Sequence, residues 1–438
     1  MIRIEISGAG GGKTTGLVEK IYNRYNGIIN YKKIFVITYT NYAVNQIINS
    51  YVKKYGVLPK NVKIMTVHKF CIQEIINPYY KYTFQKTPIE NIVTFKYNHN
   101  RKYYEFSRLL DKSCIHTDNV FSMSKWILCG KSNFSKNQKE VCKNNFKYFI
   151  SDVDSIFIDE YQDLDIDILT IILKIIDQNS INISIVGDPK QQIMGRDYSR
   201  WFILELEKRN IIPTYNSNCY RCGANLITLS NKLCLDTEQQ ITEKSNMILK
   251  YIFYDELESI VSDFQANKED FLVYMKESNE KFTTNKESIN DCNLNFEDVS
   301  SYDKKYINTR IQIIIKNNSY SQKEKIMKIK DLLSQFNIEL SAILRMQLLD
   351  YLNNNISCNS NLYKIYSINK VKGLEADYCF YIIDNNFLKY LIDTPKRNME
   401  SNKIYVALTR AKKGLYLVIP REFKRLDELE SLGFKYLI

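Results

Sequence analysis

The sequence has no apolar run long enough to cross a lipid bilayer and no framework pattern of cysteines. A spanning helix needs about 20 consecutive apolar residues, and the N-terminal residues lack the charged-then-apolar layout of a signal peptide. We therefore expect a cytoplasmic protein with no membrane partner. Thiols stay reduced in that compartment, so the ten cysteines are predicted to be free thiols. The close pair Cys219 and Cys222 has no matching second pair, which argues against a metal site.

Internal repeats and nuclease motifs are also missing, and 438 residues leave room for two to four domains. The chain has 61 Lys and Arg residues against 49 Asp and Glu residues, which gives a net charge of +12. Such an excess suits a polyanionic partner such as nucleic acid. The abundance of Lys, Asn, Ile and Tyr leaves compositional bias as a second explanation, so the motifs must decide.

A glycine-rich stretch near the N-terminus is the most informative part of the chain. It lies between an alternating, strand-like segment at 2–6 and a segment from 14 onward with helical spacing. Glycines let successive backbone N–H groups turn toward one anion, and the helix N-terminus adds its positive dipole end. Lys13 can reach the outer phosphates, and the Thr14 hydroxyl can ligate Mg²⁺. We therefore predict a nucleoside triphosphate site at Ser7-Gly8-Ala9-Gly10-Gly11-Gly12-Lys13-Thr14-Thr15.

The next two strand ends present further polar and aromatic side chains. The apolar run 34–37 predicts a buried parallel strand, and Tyr39, Thr40 and Asn41 follow at its carboxyl end, where open α/β sheets bind ligands. Tyr39 is placed either to stack on a nucleobase or to pack beneath the following helix. A short strand at 62–65 leads to His68, which we expect to be structural or to position the backbone.

Residues 72–149 lose the alternation of strands and helices and become aromatic and basic. This composition predicts a mostly helical inserted subdomain. Basic residues interleaved with aromatic ones suit a surface that grips a nucleic-acid backbone and offers stacking partners. A separate hydrophobic core with a solvated outer face explains the same pattern equally well.

The strand pattern returns at 156–158 and delivers two carboxylates, Asp159 and Glu160, at its end. In a P-loop ATPase, an acidic residue at such a strand end holds Mg²⁺, and a neighbouring Glu orients or deprotonates the attacking water. Another predicted strand, 183–186, ends close to Gln191, which is placed to sense the γ-phosphate. These residues predict ATP hydrolysis assisted by Mg²⁺.

In this order the motifs resemble those of the UvrD/Rep/PcrA-type superfamily 1 DNA helicases, and the resemblance spans residues 7–411. The first half contains Ser-Gly-Ala-Gly-Gly-Gly-Lys-Thr, Thr-Tyr-Thr-Asn, Thr-Val-His-Lys-Phe, Asp-Glu-Tyr-Gln-Asp and Val-Gly-Asp-Pro-Lys-Gln-Gln-Ile. The second half contains Cys-Tyr-Arg at 219–221, Lys-Val-Lys-Gly-Leu-Glu at 370–375 and Tyr-Val-Ala-Leu-Thr-Arg-Ala at 405–411.

The resemblance implies an α/β fold with two RecA-like P-loop domains, parallel sheets and reduced, mainly helical accessory insertions. Residues 1–71 and 150–215 would form the ATP-binding first domain, and residues 72–149 its helical insertion. Residues 216–276 and 355–438 would form the second domain, and residues 277–354 a reduced second insertion. Helical spacing across 323–353 fits that second insertion.

The resemblance also implies roles in the first domain. Lys13 and Thr14 would hold phosphates and Mg²⁺, Asp159 would hold the metal, Glu160 would activate the attacking water, and Gln191 would contact the γ-phosphate. The remaining loop residues would wrap the phosphates.

From the second domain, Arg221 and Arg410 would act as arginine fingers. Tyr220 would stack on the adenine of ATP, and Glu375 would contact the ribose. Only six residues precede the P-loop motif, so the family's upstream segment with an adenine-reading Gln is missing and base specificity stays open.

For the nucleic-acid strand, the resemblance implies a path along Tyr39, Thr40, Asn41 and His68. The family usually has an aromatic residue followed by Arg-Gly after the Gln of its third strand, and the sequence 195–198 departs from that pattern. The base-stacking role is therefore displaced to Tyr198 or Trp201, or it is missing.

These features predict an ATP-dependent translocase or helicase on single-stranded or tailed duplex DNA, with the family's 3′-to-5′ direction. The alternative is an ATP- or DNA-gated regulatory subunit of a nuclease complex that unwinds little DNA by itself. The compact size and motif layout of the chain resemble those of the helicase-like subunit of the Gabija antiphage system, which works beside a nuclease. RNA as the track is a third, less favoured possibility.

Overall fold

Two parallel β-sheets organise the computed structural model, which describes residues 1–27, 32–94, 102–193, 195, 197–279, 281, 282, 284, 307, 310, 311, 313, 314, 320–336, 338, 363–383, 392 and 398–437. The strands in chain order are β1 (Ile2–Ser7), β2 (Lys33–Thr38), β3 (Val62–Thr66), β4 (Asn91–Val93), β5 (Cys114–His116), β6 (Val153–Ile158), β7 (Asn182–Gly187), β8 (Thr214–Asn216), β9 (Ile248–Phe253), β10 (Phe271–Met275), β11 (Ile365–Ser367), β12 (Ala376–Ile382), β13 (Ala411–Ile419) and β14 (Lys435–Tyr436).

The α-helices run between these strands. In chain order they are α1 (Lys13–Asn26), α2 (Asn41–Tyr55), α3 (Val67–Phe70), α4 (Asn77–Phe84), α5 (Lys102–Leu110), α6 (Val120–Cys129), α7 (Lys136–Ser151), α8 (Ile166–Gln178), α9 (Ser199–Glu207), α10 (Ala224–Asn231), α11 (Leu257–Ala266), α12 (Gln322–Ser334), α13 (Ile368–Val371), α14 (Met399–Leu408) and α15 (Leu426–Ser431).

The first sheet has six strands in the order β3-β2-β6-β7-β1-β8, and every neighbouring pair is parallel. Helices α1 and α2 cover one face through Leu17, Ile21 and Ile47, while α6 and α8 cover the other. A sheet covered on both faces buries nearly every strand side chain, which explains the continuous apolar run 34–37. Because the strands are parallel, the carboxyl ends of the central strands lie at the same edge of the sheet, and the polar motifs begin there.

The second sheet also has six strands, in the order β11-β10-β12-β13-β9-β14, again with parallel pairing throughout. Helices α10 and α14 bury Leu226, Ile404 and Leu408 on one face, and α11 buries Leu257 and Val261 on the other. In β10, Val273, Tyr274 and Met275 are buried. We call the units built on the two sheets the first and second domains, and this two-domain RecA-like α/β fold confirms the predicted fold class.

The segment between β3 and β6 is mostly helical, as predicted. A π-helical turn over Cys71–Ile76 precedes α4, and the short parallel strands β4 and β5 pair with each other. Ile75, Tyr80 and Phe149 join the hydrophobic core beneath the first sheet. Part of the aromatic character of 72–149 thus serves that core, while Tyr82 stays exposed.

The second predicted insertion falls largely outside the described residues. Within it, α12 is described and begins with a capping box, in which the Ser321 hydroxyl accepts from the Glu324 N–H and the Glu324 carboxylate accepts from the Ser321 N–H. Ile329 and Leu333 are buried on one side of this helix. The predicted helical positions beyond 338 lie outside the described residues.

Two expectations about the chain as a whole concern membranes and thiols. No helix in the described ranges combines the length and apolar character that crossing a membrane requires. None of the eight described cysteines forms a disulfide.

Candidate nucleotide site between the two domains

The glycine-rich stretch forms the predicted loop between β1 and α1. Gly10 and Gly12 adopt left-handed backbone conformations with φ of +71° and +77°, which glycine accommodates without steric cost. Helix α1 begins at Lys13 directly after Gly12, so its N-terminus faces the loop. The Lys13 ammonium donates to the Ser7 carbonyl oxygen at 3.2 Å and so folds back over the loop. A loop of this geometry before a helix N-terminus can bind an anion.

The segment carrying Tyr220 and Arg221 packs directly on this loop. The Tyr220 N–H donates to the Gly10 carbonyl oxygen at 2.8 Å. A Cβ atom placed on Gly10 would lie 2.6 Å from the Arg221 Cβ. The Arg221 segment therefore lies so close to the loop that only glycine fits at position 10.

Gly10→Ala is expected to destabilise the protein, whereas Gly16→Ala, its matched control in α1, is expected to stabilise it. A left-handed alanine costs about 1–2 kcal/mol, and the clash with Arg221 adds to this cost. Gly16 has no atom within 4 Å of a built Cβ, and alanine within a helix gains about 0.5–1 kcal/mol over glycine. Calorimetry should show a lower Tm for the first variant and a higher Tm for the second. Equal shifts would contradict the close approach.

A cavity of about 370 Å³ opens between the loop and the second domain. Its walls contain most of the predicted nucleotide-site residues from both halves of the chain. They are Ala9, Gly10, Gly11, Gly12, Lys13, Thr14, Thr15, Glu160, Gln191, Tyr220, Arg221, Glu375 and Arg410. Three predicted residues, Ser7, Gly8 and Asp159, are not in the wall. Gly8 lies beneath the loop, where a Cβ would meet the Gln240 side chain at 2.2 Å.

The two carboxylates follow β6 as expected. Asp159 is buried, and its N–H donates to the Ile37 carbonyl oxygen at 2.8 Å, which holds it beside β2. Burial, with the neighbouring charge of Glu160, raises the pKa of Asp159 to about 7. Burial also opposes ionisation of Glu160, but Lys13 and Lys372 outweigh it and hold the pKa of Glu160 below its usual value. The ionised acid is therefore the one that faces the cavity.

Glu160 has an unusual backbone as well. Its φ is +54°, in the left-handed region that non-glycine residues rarely occupy. Its carboxylate accepts a short hydrogen bond from the Gln162 side chain, whose oxygen in turn accepts from the Asp188 N–H at 2.9 Å. Conformations of this kind cost about 1–3 kcal/mol and cluster at functional sites.

Gln191 reaches the cavity from the turn after β7. Its amide nitrogen donates to Asp188 Oδ2 at 3.0 Å. Lys372 of the second domain donates to the Gln191 carbonyl oxygen at 2.8 Å and forms an ion pair with Asp163. Burial of Asp163, opposed by the charge of Lys372, raises the pKa of that carboxyl to about 6. Gln191 is thus hydrogen-bonded both to Asp188 of the first domain and to Lys372 of the second domain.

Two guanidinium groups enter from the second domain. Arg221 donates to the Thr409 carbonyl oxygen at 2.9 Å and forms an ion pair with Glu375. Arg410 is 1% exposed and donates to the carbonyl oxygens of Val406 at 2.9 Å and Leu374 at 3.3 Å. Burial, and then the charge of Arg221, lowers the pKa of Arg410. Both groups face the same cavity as Lys13.

Sequence reasoning missed two cations in the same wall, Lys244 and Lys412. Lys412 pairs with Glu375 at 2.9 Å, so that carboxylate bridges Lys412 and Arg221. Lys244 donates to the Arg221 carbonyl oxygen at 3.0 Å. Lys412 stands directly after Ala411 of the last motif, which was an available signal. Lys244 lies in a polar segment without periodicity, so the sequence contained no signal for it.

A second cavity of about 410 Å³ lies on the other side of the loop. Residues of the loop and α1 line it together with more distant ones; they are Glu5, Gly11, Gly12, Lys13, Thr15, Gly16, Leu17, Lys20, Val186, Asn216 and Tyr220. The Tyr220 ring is 64% exposed and therefore presents a free face beside the loop. Tyr220 borders both cavities.

The residues expected along a nucleic-acid strand are placed apart from the nucleotide cavity. Thr40 caps α2, since its hydroxyl accepts from the Ala43 N–H at 3.1 Å, and Asn41 is the first, exposed residue of that helix. Tyr39 is half-buried against the first domain's core. Burial, with the charges of Asp163 and Asp165, raises the pKa of Tyr39.

His68 lies in α3 with its ring centroid 4.3 Å from that of Phe121, and burial lowers its pKa. This packing is what a structural histidine would show. Tyr198 and Trp201 lie at the start of α9 and pack against the first domain's core as partly buried side chains. Their stacking role stays a prediction.

Comparison with known families gives two matches along the chain. An AAA domain matches residues 2–196, and a UvrD-like helicase C-terminal domain matches residues 364–418. The second of these matches is similar to the UvrD-like helicases, as the order of the motifs predicted. The whole chain is similar to Gabija protein GajB of Bacillus cereus (strain VD045), with 25% identity over 494 residues that cover 97% of this chain and 94% of GajB.

Among solved structures, the chain is similar to arterivirus nonstructural protein 10 (helicase), with 12% identity and a TM-score of 0.40. That match covers 98% of this chain and 61% of the arterivirus protein. A second arterivirus structure, a complex with DNA, matches with a TM-score of 0.38 and 12% identity over 98% of this chain and 62% of that one. The PRRSV helicase matches with 9% identity and a TM-score of 0.35 over 96% of this chain and 53% of that one.

Proposed function

We propose that this UvrD-like protein hydrolyses ATP with Mg²⁺ between its two domains and uses the reaction to move along single-stranded DNA. The supporting observation is the cavity of about 370 Å³ that carries Lys13 and Glu160 on one side and Arg221 and Arg410 on the other. Cations from both domains surround one phosphate site. Loss of the terminal phosphate would remove the charge that they share and so change the contact between the domains. We assign residues 1–71 and 150–215 to the first motor domain, residues 216–276 and 355–438 to the second, and 72–149 and 277–354 to the insertions.

In this proposal the loop from Gly8 to Thr15 wraps the phosphates of ATP. Tyr220 stacks on the base, because its exposed ring borders both the phosphate cavity and the second cavity of about 410 Å³. Glu375, which pairs with Arg221 and Lys412, would contact the ribose. Arg221 would face the phosphate oxygens.

Mg²⁺ fits the donors at the strand ends. Mg²⁺ usually binds through one or two carboxylates together with substrate phosphates, and rarely in a cage made by protein alone. In the described ranges no group of three or more His, Cys, Asp or Glu residues could hold a metal. Asp159 and the Thr14 hydroxyl would hold the ion, which would supply charge neutralisation at the phosphates. Glu160, kept ionised by Lys13 and Lys372, would orient the attacking water.

For the strand, we propose a path over Tyr39, Thr40, Asn41 and His68 that continues to Tyr198 or Trp201, with 3′-to-5′ movement. Backbone contacts and stacking on aromatic rings tolerate any sequence. The net charge of +12 favours a polyanionic track.

Binding of single-stranded DNA is expected to weaken steeply with salt and to ignore sequence. Each neutralised phosphate of a single strand contributes about 0.7 to the slope of log K against log salt, so about three phosphates give a loss of about 20-fold between 50 and 200 mM. Fluorescence anisotropy with two unrelated 20-nucleotide strands of equal composition measures both properties. Affinity that is flat in salt, or that differs tenfold between the strands, would count against this path.

A second candidate function is an ATP- or DNA-gated subunit that controls a partner nuclease. The similarity to Gabija protein GajB across 97% of the chain favours it. ATPase turnover with and without single-stranded DNA, followed by unwinding of a tailed duplex with the same preparation, separates the two candidates. A motor unwinds the duplex, whereas a gated subunit hydrolyses ATP without unwinding. Lys13→Ala serves as the negative control in both assays.

A further inference from the structure

A buried tyrosine hydroxyl of the second domain holds the backbone of the phosphate loop. Tyr405 lies in α14 and is 1% exposed. Its hydroxyl oxygen accepts the Ala9 N–H at 2.9 Å. The same hydroxyl lies 3.1 Å from Asp188 Oδ2 and 2.8 Å from Gln240 Oε1, both of which can accept its proton. One oxygen atom therefore joins the loop, the end of β7 and a residue from the second half of the chain.

Gln240 completes this contact from the other side of the loop. Its amide nitrogen donates to the Ala9 carbonyl oxygen at 3.0 Å. Both backbone polar groups of Ala9 are thus bound by side chains from the second half of the chain. Gln240 is itself fixed, because its N–H donates to the Asn231 side-chain oxygen at 2.9 Å and its carbonyl oxygen accepts from the Asn231 amide at 2.8 Å.

The contact continues to the residues proposed for hydrolysis. Asp188 accepts from the Gln191 amide at 3.0 Å, and its N–H donates to the oxygen of Gln162 at 2.9 Å. The Gln162 nitrogen then donates to the Glu160 carboxylate. A continuous chain of hydrogen bonds therefore leads from Tyr405 to both the water-orienting acid and the γ-phosphate sensor.

The surroundings keep the Tyr405 ring in place independently of its hydroxyl. The Lys190 ammonium lies 5.2 Å from the ring centroid and donates to the Glu238 carbonyl oxygen at 2.8 Å. Buried polar groups are almost always paired, so parting of the domains would require new partners for Ala9, Asp188 and Gln240. The hydrogen bonds that Tyr405 and Gln240 make to Ala9 and Asp188 are consequently specific to this arrangement of the domains.

We propose that Tyr405 is a positioning residue through which the second domain sets the phosphate loop and the Asp188–Gln191 turn for hydrolysis. This inference rests on the proposed function. Tyr405 does not line the nucleotide cavity and acts through Ala9 and Asp188. Its contribution is to turnover rather than to the binding of ATP.

The test compares Tyr405→Phe with Tyr274→Phe. Tyr274 is equally buried, and its hydroxyl donates at 2.5 Å to the Ala407 carbonyl oxygen of the same helix, so its loss leaves the domain contact intact. For Tyr405→Phe we expect kcat of DNA-stimulated ATP hydrolysis to fall about tenfold, the rate equivalent of one hydrogen bond, with KM within about twofold. Tyr274→Phe should keep both values. Hydrogen exchange of the peptide containing Ala9 should accelerate only in Tyr405→Phe.

Two results would overturn the inference. One is a Tyr405→Phe enzyme with wild-type kcat and unchanged exchange at Ala9, and the other is an effect on KM alone. If Tyr405→Phe melts far below Tyr274→Phe, Gln240→Met provides the second test, because it removes the partner of Tyr405 and should lower kcat in the same way. A wild-type chain without ATPase activity would contradict the proposed function instead, while the exchange measurement would still test the contact.

Discussion

Arg221→Ala is expected to reduce ATP turnover by about 10³-fold or more while leaving ATP binding within a few-fold of the wild-type value. An arginine that spreads its charge over the transferring phosphoryl group is worth about 10³–10⁵ in kcat. Arg221 is placed for this role, because its segment is bonded to Gly10 of the loop and its guanidinium faces the cavity that holds Lys13. Steady-state hydrolysis and titration with a non-hydrolysable ATP analogue measure the two effects separately.

Arg421→Ala is the matched control for this variant. Arg421 forms an exposed bidentate pair with Asp255 at 2.6–3.1 Å, away from the nucleotide cavity, and exposed pairs contribute little. Arg221→Lys should fail to rescue activity, because an ammonium cannot reproduce the planar fork of a guanidinium. An Arg221→Ala enzyme whose kcat stays within tenfold of the wild type would remove Arg221 from the reaction.

Glu160→Gln is expected to abolish steady-state hydrolysis with little loss of ATP binding. The change keeps the shape of the side chain and removes only the negative charge that orients and deprotonates water, a contribution of about 10²–10⁴ in rate. Lys13 and Lys372 stabilise that charge, so the wild-type carboxylate is ionised at neutral pH. A single-turnover assay that separates nucleotide binding from phosphate release measures the effect.

Glu74→Gln serves as the comparison for Glu160→Gln. Glu74 is a partly buried acid in the π-helical turn after β3; it pairs with Lys33 at 3.0 Å and does not line the nucleotide cavity. It should keep wild-type turnover. If Glu160→Gln releases phosphate at the wild-type rate, another group must activate the water.

Much of the first domain was predictable because local patterns determine it. Ile4 and Ile6 alternate with polar residues and are buried in β1, and the apolar run 34–37 is buried in β2. Asp159, Glu160 and Gln191 follow strands that are central in the sheet, so their position at its carboxyl edge follows from the strand assignments alone.

The contacts that complete the site were not predictable in this way. Gln240 meets Ala9 across 231 positions of sequence and lies in a polar segment that shows no periodicity. Tyr405 belongs to a recognised motif, but nothing in the sequence distinguishes its hydroxyl from an ordinary core tyrosine. Likewise, the pairing of Glu375 with Arg221 and Lys412 depends on three separate segments coming together. Such contacts arise from the packing of the second domain on the first.

The ion pair between Lys372 and Asp163 is one of the contacts that join the two lobes. Both side chains are mostly buried when the lobes meet, with 11% and 5% exposure. The desolvation of a buried pair largely cancels its Coulomb attraction, whereas two separated charges recover their hydration. Parting this contact is therefore almost neutral in free energy. In the proposed function, this ion pair would therefore neither hold the two lobes together strongly nor oppose their closure.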